Sequence, residues 1–98
     1  DQVIIDSILL IANTITGVAH ANGVITVHLA PEQILVALSL EFIDALTTSE
    51  IEKKVTELED SVRRKHPEVV ALFVKPQSSE RYKAGIAQRY GESEQLHH

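Results

Sequence analysis

Three histidines lie within the body of this sequence, His20, His28 and His66, and imidazole is the side chain best suited to zinc and related divalent cations. Spacing alone gives no recognised ligand pattern. A site built from these weak candidates would be assembled across a two-fold axis, where each histidine occurs twice; the plainer expectation is exposed or hydrogen-bonded imidazole without metal. Glu41 and Asp44 are the carboxylates nearest a strand end, and solvation of the surface accounts for them. There is no nucleophile elbow, no Gly-rich phosphate loop after a strand and no carboxylate pair directed into a cleft, so the chain does not read as an enzyme.

Ninety-eight residues make one core without a spacious interior cavity, which places any binding site on the surface or between chains. A formal charge of −5 argues against nucleic acid, because phosphate-binding surfaces need clustered Lys and Arg. With no cysteine there are no disulfides, thiolate metal sites or Cys nucleophile. No apolar run approaches the ~20 residues that cross a bilayer; Ile8–Ala12, for example, is five residues. The chain lacks methionine and begins at Asp1, as expected of a soluble segment excised from something longer, and Leu96-His97-His98 is set aside as native or as the vestige of a tag.

The element that would position these residues is a hairpin over Gly23–Asp44. Its arms, Val24–Leu29 and Ile34–Phe42, are rich in β-branched and aliphatic residues, and Ala30-Pro31-Glu32-Gln33 forms the turn, where Pro31 presets φ. With Leu29 opposite Ile34, Val27 faces Val36 and Ile25 faces Leu38, giving one apolar face continued by Leu40 and Phe42. The other face carries Val24, Thr26 and His28 against Ser39, Ala37 and Leu35. A slip of one residue would exchange the two faces.

Helical stripes flank the hairpin. Ile4, Ile8, Ile11 and Ile15 mark an N-terminal helix that is apolar beyond one side and stops at Gly17, with Val18–Asn22 a connection and Asn22-Gly23 a tight bend. Thr47 with Glu50 makes a capping box ahead of the stripe Ile51, Val55, Leu58 and Val62, and Pro67 ends that helix after Arg63-Arg64-Lys65-His66. Glu68–Lys75 reads as a third strand through the apolar run Val69–Val74, and Glu80–Tyr90 as a short helix weakened by Gly85, with disorder beyond Gly91. The order α-β-β-α-β predicts an α+β two-layer sandwich: a three-stranded mixed sheet with two helices on one face, the last two strands parallel through a right-handed crossover. Its open face predicts a homodimer through Thr26, His28, Leu35, Ala37 and Ser39.

The hairpin ending Leu40-Glu41-Phe42, the helix opened at Leu46-Thr47, the Arg63-Arg64-Lys65-His66-Pro67 helix end and the hydrophobic last strand together resemble the C-terminal domain of cation diffusion facilitator (cation efflux) transporters, over about Ile4 to Gln77. The resemblance implies a metallochaperone-like, ferredoxin-like αββαβ domain over 1–77 followed by a tail over 78–98. It also implies a V-shaped homodimer at the cytoplasmic face of the cell membrane, joined to the transmembrane domain of the same full-length chain, which exports divalent cations of the zinc type. In that family metal, Zn2+ or another divalent cation, draws the halves together. The strand positions that hold its ligands fall here near Gly23, Ser39, Val74 and Pro76, none of which supplies an equivalent ligand. Either His28 and His20 build a different site or the domain serves as a dimerisation module. The alternative outside this family is a free-standing ferredoxin-like regulatory module that binds a small effector at a dimer interface.

Overall fold

A computed structural model describes residues 2–96 of the chain, with the side chains of 90–96 left aside. The elements run α1 (Gln2–Thr14), β1 (Val18–Ala30), β2 (Gln33–Phe42), α2 (Thr48–Lys65), β3 (Val69–Pro76) and α3 (Ser79–Leu96). The fold is α+β, with a mixed sheet ordered β1-β2-β3, β1 antiparallel and β3 parallel to β2. No helix among the described residues is long and apolar enough to cross a membrane.

Local chemistry sets the helix boundaries. Thr47 caps α2: its Oγ1 accepts from Glu50 N at 3.2 Å while Thr47 N donates to Glu50 Oε1 at 3.1 Å, so two otherwise unpaired amides are satisfied reciprocally. Both hydrogen bonds favour the carboxylate and hold Glu50 below the usual glutamate range. At the other end His66 N donates to Val62 O at 2.7 Å before Pro67 breaks the helix. Gly17, at φ +99°, turns the chain from α1 into β1, in a region that L side chains rarely occupy.

The hairpin differs from the sequence expectation in one residue with wide effect. Ala30 pairs with Gln33 across the two-residue turn Pro31-Glu32, but Leu29 is extruded as a β-bulge and His28, not Leu29, faces Ile34. Every pair along the arms then shifts by one: Val27 meets Leu35, Thr26 meets Val36, Ile25 meets Ala37 and Val24 meets Leu38. Strand β2 keeps its expected core face, with Ile34, Val36, Leu38 and Leu40 buried. On β1 the two faces exchange. Thr26 and His28 stand on the helix side of the sheet, and the expected grouping of these two with Leu35, Ala37 and Ser39 is corrected. Nor is Val18–Asn22 a connection: β1 continues through it, and further bulges between Ala21 and Gly23 and between Val18 and His20 replace the expected bend.

One face of the sheet is covered as expected. Helix α1 packs on β1 and beside α2, and Ile8, Ala12, Leu58 and Val62 join the inner residues of β2 and β3 in a continuous core. The C-terminal segment departs from expectation: it forms the 18-residue helix α3, which meets β1 and β2 and borders their opposite face. His97 and His98 lie outside the described residues.

Two stability measurements follow. Leu38→Ala, at a fully enclosed site, lowers unfolding free energy by about 2–5 kcal/mol, whereas Ile25→Thr, in dilute monomeric protein, changes it by no more than about 0.5 kcal/mol; the sequence register predicts comparable losses, and urea melts separate the two. Because the Glu50 carboxylate titrates below its unfolded value, its contribution is present above the unfolded pKa and is lost as pH falls through the folded one. Glu50→Gln therefore shows a flatter decline of stability than the wild type between neutral and acidic pH.

Candidate functional site

The bulge at Leu29 turns the hydrophobic residues of β1 outward. Ile25 is 66% exposed and Val27 47%, beside Phe73 of β3 at 60%, while the polar Thr26 between the first two is turned toward the helix layer. An apolar strip on one face of a small sheet, with a threonine on the core side, is the pattern of a face that is covered in use. Leu35 and Ala37 lie on this face, opposite Ala71 and Phe73, and Ser39 lies opposite Lys75.

At the end of the face near α3 the second bulge serves a different purpose. It places Asn22 where Nδ2 donates to Ser39 Oγ at 3.1 Å and to Gln77 O at 2.9 Å, while Ser39 Oγ donates to Gln77 Oε1 at 2.9 Å. The first turn of α3 joins this network: Ser79 Oγ donates to Asn22 Oδ1 at 2.7 Å and Ser79 N donates to a Glu41 carboxylate oxygen. Ser39 is thus a buried hydroxyl with its hydrogen bonds made, locking β1, β2, the end of β3 and α3 together. One turn into α3, the Tyr82 ring lies against Gly23. A Cβ at Gly23 would collide with Tyr82 Oη and lie 2.7 Å from Cζ, so the close approach requires glycine.

Between α3 and the sheet is a cavity of about 270 Å³ bordered by Ile25, Ala37, Phe73, Tyr82, Lys75 and Arg89. The positions where the family resemblance looked for metal ligands, near Gly23, Ser39, Val74 and Pro76, fall at or beside it. Glycine and valine offer no donor, Ser39 is committed to Asn22 and Gln77, and Lys75 adds positive charge.

The structure does not bring the three histidines together. His20 is exposed at the α3 end of β1, where its register partner is Glu41, and His28 is exposed near the turn, on the opposite face. Eight residues of strand separate them, about 26 Å at 3.3 Å per residue. His66 lies in the helix layer, with Nε2 2.8 Å from Ser7 Oγ in a hydrogen bond whose donor depends on the tautomer. Its Nδ1 is 3.9 Å from Glu68 Oε1, which has no hydrogen-bond partner among the described residues. Ser7, His66 and Glu68 follow the order of a hydrolytic triad, but 3.9 Å exceeds hydrogen-bond reach and Ser7 sits inside the regular helix α1. The arrangement staples α1 to the α2–β3 junction. No group of three or more His, Cys, Asp or Glu side chains able to hold a metal occurs among the described residues.

Sequence reasoning missed Asn22, Gln77, Ser79 and Tyr82, and the pairing of Lys75 with Arg89 around one cavity. The dipeptide Asn22-Gly23 was the available signal: Asn and Gly within a strand run mark a bulge as readily as a bend.

No family model and no curated protein matches this sequence. Solved structures do match in fold. A nickel form of a MamM CTD variant aligns with a TM-score of 0.72 at 13% identity, covering 80% of this chain and 98% of that one. A manganese form gives 0.70 at 13% identity over 79% and 96%, and a cadmium form 0.71 at 13% over 79% and 95%. The αββαβ, ferredoxin-like architecture expected from the sequence is the fold shared with these domains.

The seat of α3 is testable at Gly23. Gly23→Ala displaces the Tyr82 ring and frees α3 from the sheet without unfolding the core, so limited proteolysis cuts within α3 at least several-fold faster than in wild type. Gly23→Ala combined with Tyr82→Ala shows no further acceleration over Tyr82→Ala alone; additive effects would refute the contact.

Proposed function

We propose that this chain is the cytoplasmic dimerisation and regulatory domain of a divalent-cation transporter of the cation diffusion facilitator type. The observation that carries the proposal is the match to nearly the full length of the MamM CTDs, which are C-terminal domains of that family. The nickel, manganese and cadmium forms among those structures support divalent cations as the cargo class, with zinc-type export as the specific proposal for this chain. The domain works without chemistry of its own, by bringing two copies together beneath the membrane part.

The apolar strip supports a second copy as the occupant of the open face. Ile25 and Val27 take the places that the sequence register gave to Thr26 and His28, and join Leu35 and Ala37 in the proposed contact, while Ser39 is withdrawn from it because its hydroxyl is buried between Asn22 and Gln77. The strip also suits self-association because its middle carries no charged side chain to desolvate. His20 and His28 remain the only exposed imidazoles within the described residues, on different faces, and Lys75 and Arg89 oppose a divalent cation in the cavity. The domain is therefore proposed as a scaffold first, with any cation response arising from His20 or His28 across the two-fold axis.

Sedimentation equilibrium is expected to show a dimer that Val27→Asp converts to monomer; a wild-type monomer at high concentration sinks the dimer. Zinc calorimetry on wild type and His28→Ala separates scaffold from sensor: superimposable isotherms support the scaffold, and tight uptake lost in His28→Ala supports a sensor. The gene context tests the transporter reading itself. A hydrophobic membrane bundle encoded upstream of Asp1 is expected, and a soluble enzyme domain there would favour the free-standing effector-binding module, the reading to which the cavity lends some support.

A further inference from the structure

The cavity beneath α3 has a composition that neither dimerisation nor cation transport requires. Its floor is apolar, formed by Ile25, Ala37 and Phe73, and its edge carries two cations, Lys75 from β3 and Arg89 from α3. No carboxylate is among its described lining residues, in a chain whose formal charge is −5. The other surface depressions contrast with it by holding carboxylates: one on α2 sets Glu57 and Asp60 beside Arg63 and Arg64, and one beside the end of β2 includes Glu41, Asp44 and Glu80. Neither Lys75 nor Arg89 has an ion-pair partner among the described residues; Arg89 Nε donates only to Gly85 O within its own helix, at 3.3 Å. Tyr82 adds a phenol whose Oη makes no hydrogen bond among the described residues.

We propose that this cavity binds a small aliphatic carboxylate, its chain lying on Ile25, Ala37 and Phe73 and its carboxylate held between Lys75 and Arg89 with the Tyr82 hydroxyl as a further donor. The chemistry is that of an amphipathic anion: the apolar floor takes a hydrocarbon body, and two unpaired cations take one charge. Size sets the length of the chain. At roughly 30 Å³ per water, 270 Å³ corresponds to about nine waters, the bulk of an acid with about ten non-hydrogen atoms such as octanoate. Lys75 and Arg89 are exposed, so binding weakens as salt rises. Because one cation comes from the sheet and the other from α3, the bound acid ties the helix to the sheet at a second place, beyond the Asn22 network. The site does not depend on the transporter reading.

The test is an amide NMR titration of the 98-residue chain with octanoate, 1-octanol and octylammonium, which share a body and differ in charge. Octanoate is expected to shift Ile25, Ala37 and Phe73, with 1-octanol at least tenfold weaker and octylammonium without effect at those residues. The Lys75→Glu, Arg89→Glu double variant, at two exposed positions, should keep a dispersed spectrum and lose octanoate affinity at least tenfold; Lys75→Met, which keeps much of the stem, should lose it several-fold. Tyr82→Phe should retain the ring and weaken octanoate more than 1-octanol. Equal binding of octanoate and octanol, or octanoate binding indifferent to both the charge reversal and Lys75→Met, overturns the proposal. Ile25 and Ala37 are shared with the proposed dimer contact, so the titration is also run on Val27→Asp, outside the cavity lining, where octanoate is expected to bind without competition from a second copy; a wild-type dimer whose Val27→Asp variant fails to bind octanoate overturns this proposal alone, and a wild-type monomer that binds octanoate overturns the dimer alone.

Discussion

One extruded residue governs the outer surface of this domain. The Pro31-Glu32 turn is short enough to bring Ala30 and Gln33 together, and an unbroken ladder from there would put Ile25, Val27 and Leu29 beneath the helices. With Leu29 bulged, the side-chain period of two turns the strand's best apolar residues to the opposite face and leaves Val24 and Thr26 on the core side. The core tolerates this because β2, not β1, supplies its centre: Val36, Leu38 and Leu40 are enclosed by β1 and β3 on either side and by the helices above. The outward turn of β1 leaves Ile25, Val27 and Leu29 exposed and creates the strip that distinguishes the open face.

The second bulge divides that face into two regions of different character. It inserts Asn22 into the strand just where β2 presents Ser39 and β3 ends at Pro76, and the resulting side-chain network ties the three strands together at that end. Helix α3 begins on this network and is fitted to it by the absence of a side chain at Gly23. Toward α3 the face is polar at its edge and roofed; toward the turn it is apolar and bare. Both regions arise from extra residues in one strand, which makes β1 the element that shapes the open face while β2 centres the core.

That division also explains which parts of the structure were legible in the sequence. The capping box at Thr47 and Glu50, the stop at Pro67 and the parallel return of β3 are local or topological signals, and each stands as expected. The burial of β2 was legible because a central strand has its apolar period fixed by neighbours on both sides. The face of β1 was not. An edge strand of Val, Ile, Thr and His with alternating character on both sides accepts either register, and nothing in Leu29 announces that it will be extruded. The cavity was hidden for a related reason, since Lys75 and Arg89 lie on different elements and meet only through the docking of α3.

The histidines show how little residue type decides when position is unknown. Imidazole at 20, 28 and 66 suggested metal, yet His66 is a staple between α1 and the α2–β3 junction, held by Ser7 at 2.8 Å, and the other two are separated by the length of a strand and by its two faces. The residues that do converge are ones whose chemistry looked ordinary in isolation: a lysine closing a strand, an arginine on a weakly amphipathic helix, a tyrosine and a phenylalanine. Their cations border an apolar floor with no carboxylate among the described lining residues, in a protein otherwise rich in carboxylates. Two like charges around one cavity repel each other, so the arrangement costs stability in the empty state, and an anion seated between them removes that repulsion as it binds. The exposure that screens this cost also moderates the gain, which favours a ligand held jointly by charge and by its apolar body rather than by charge alone.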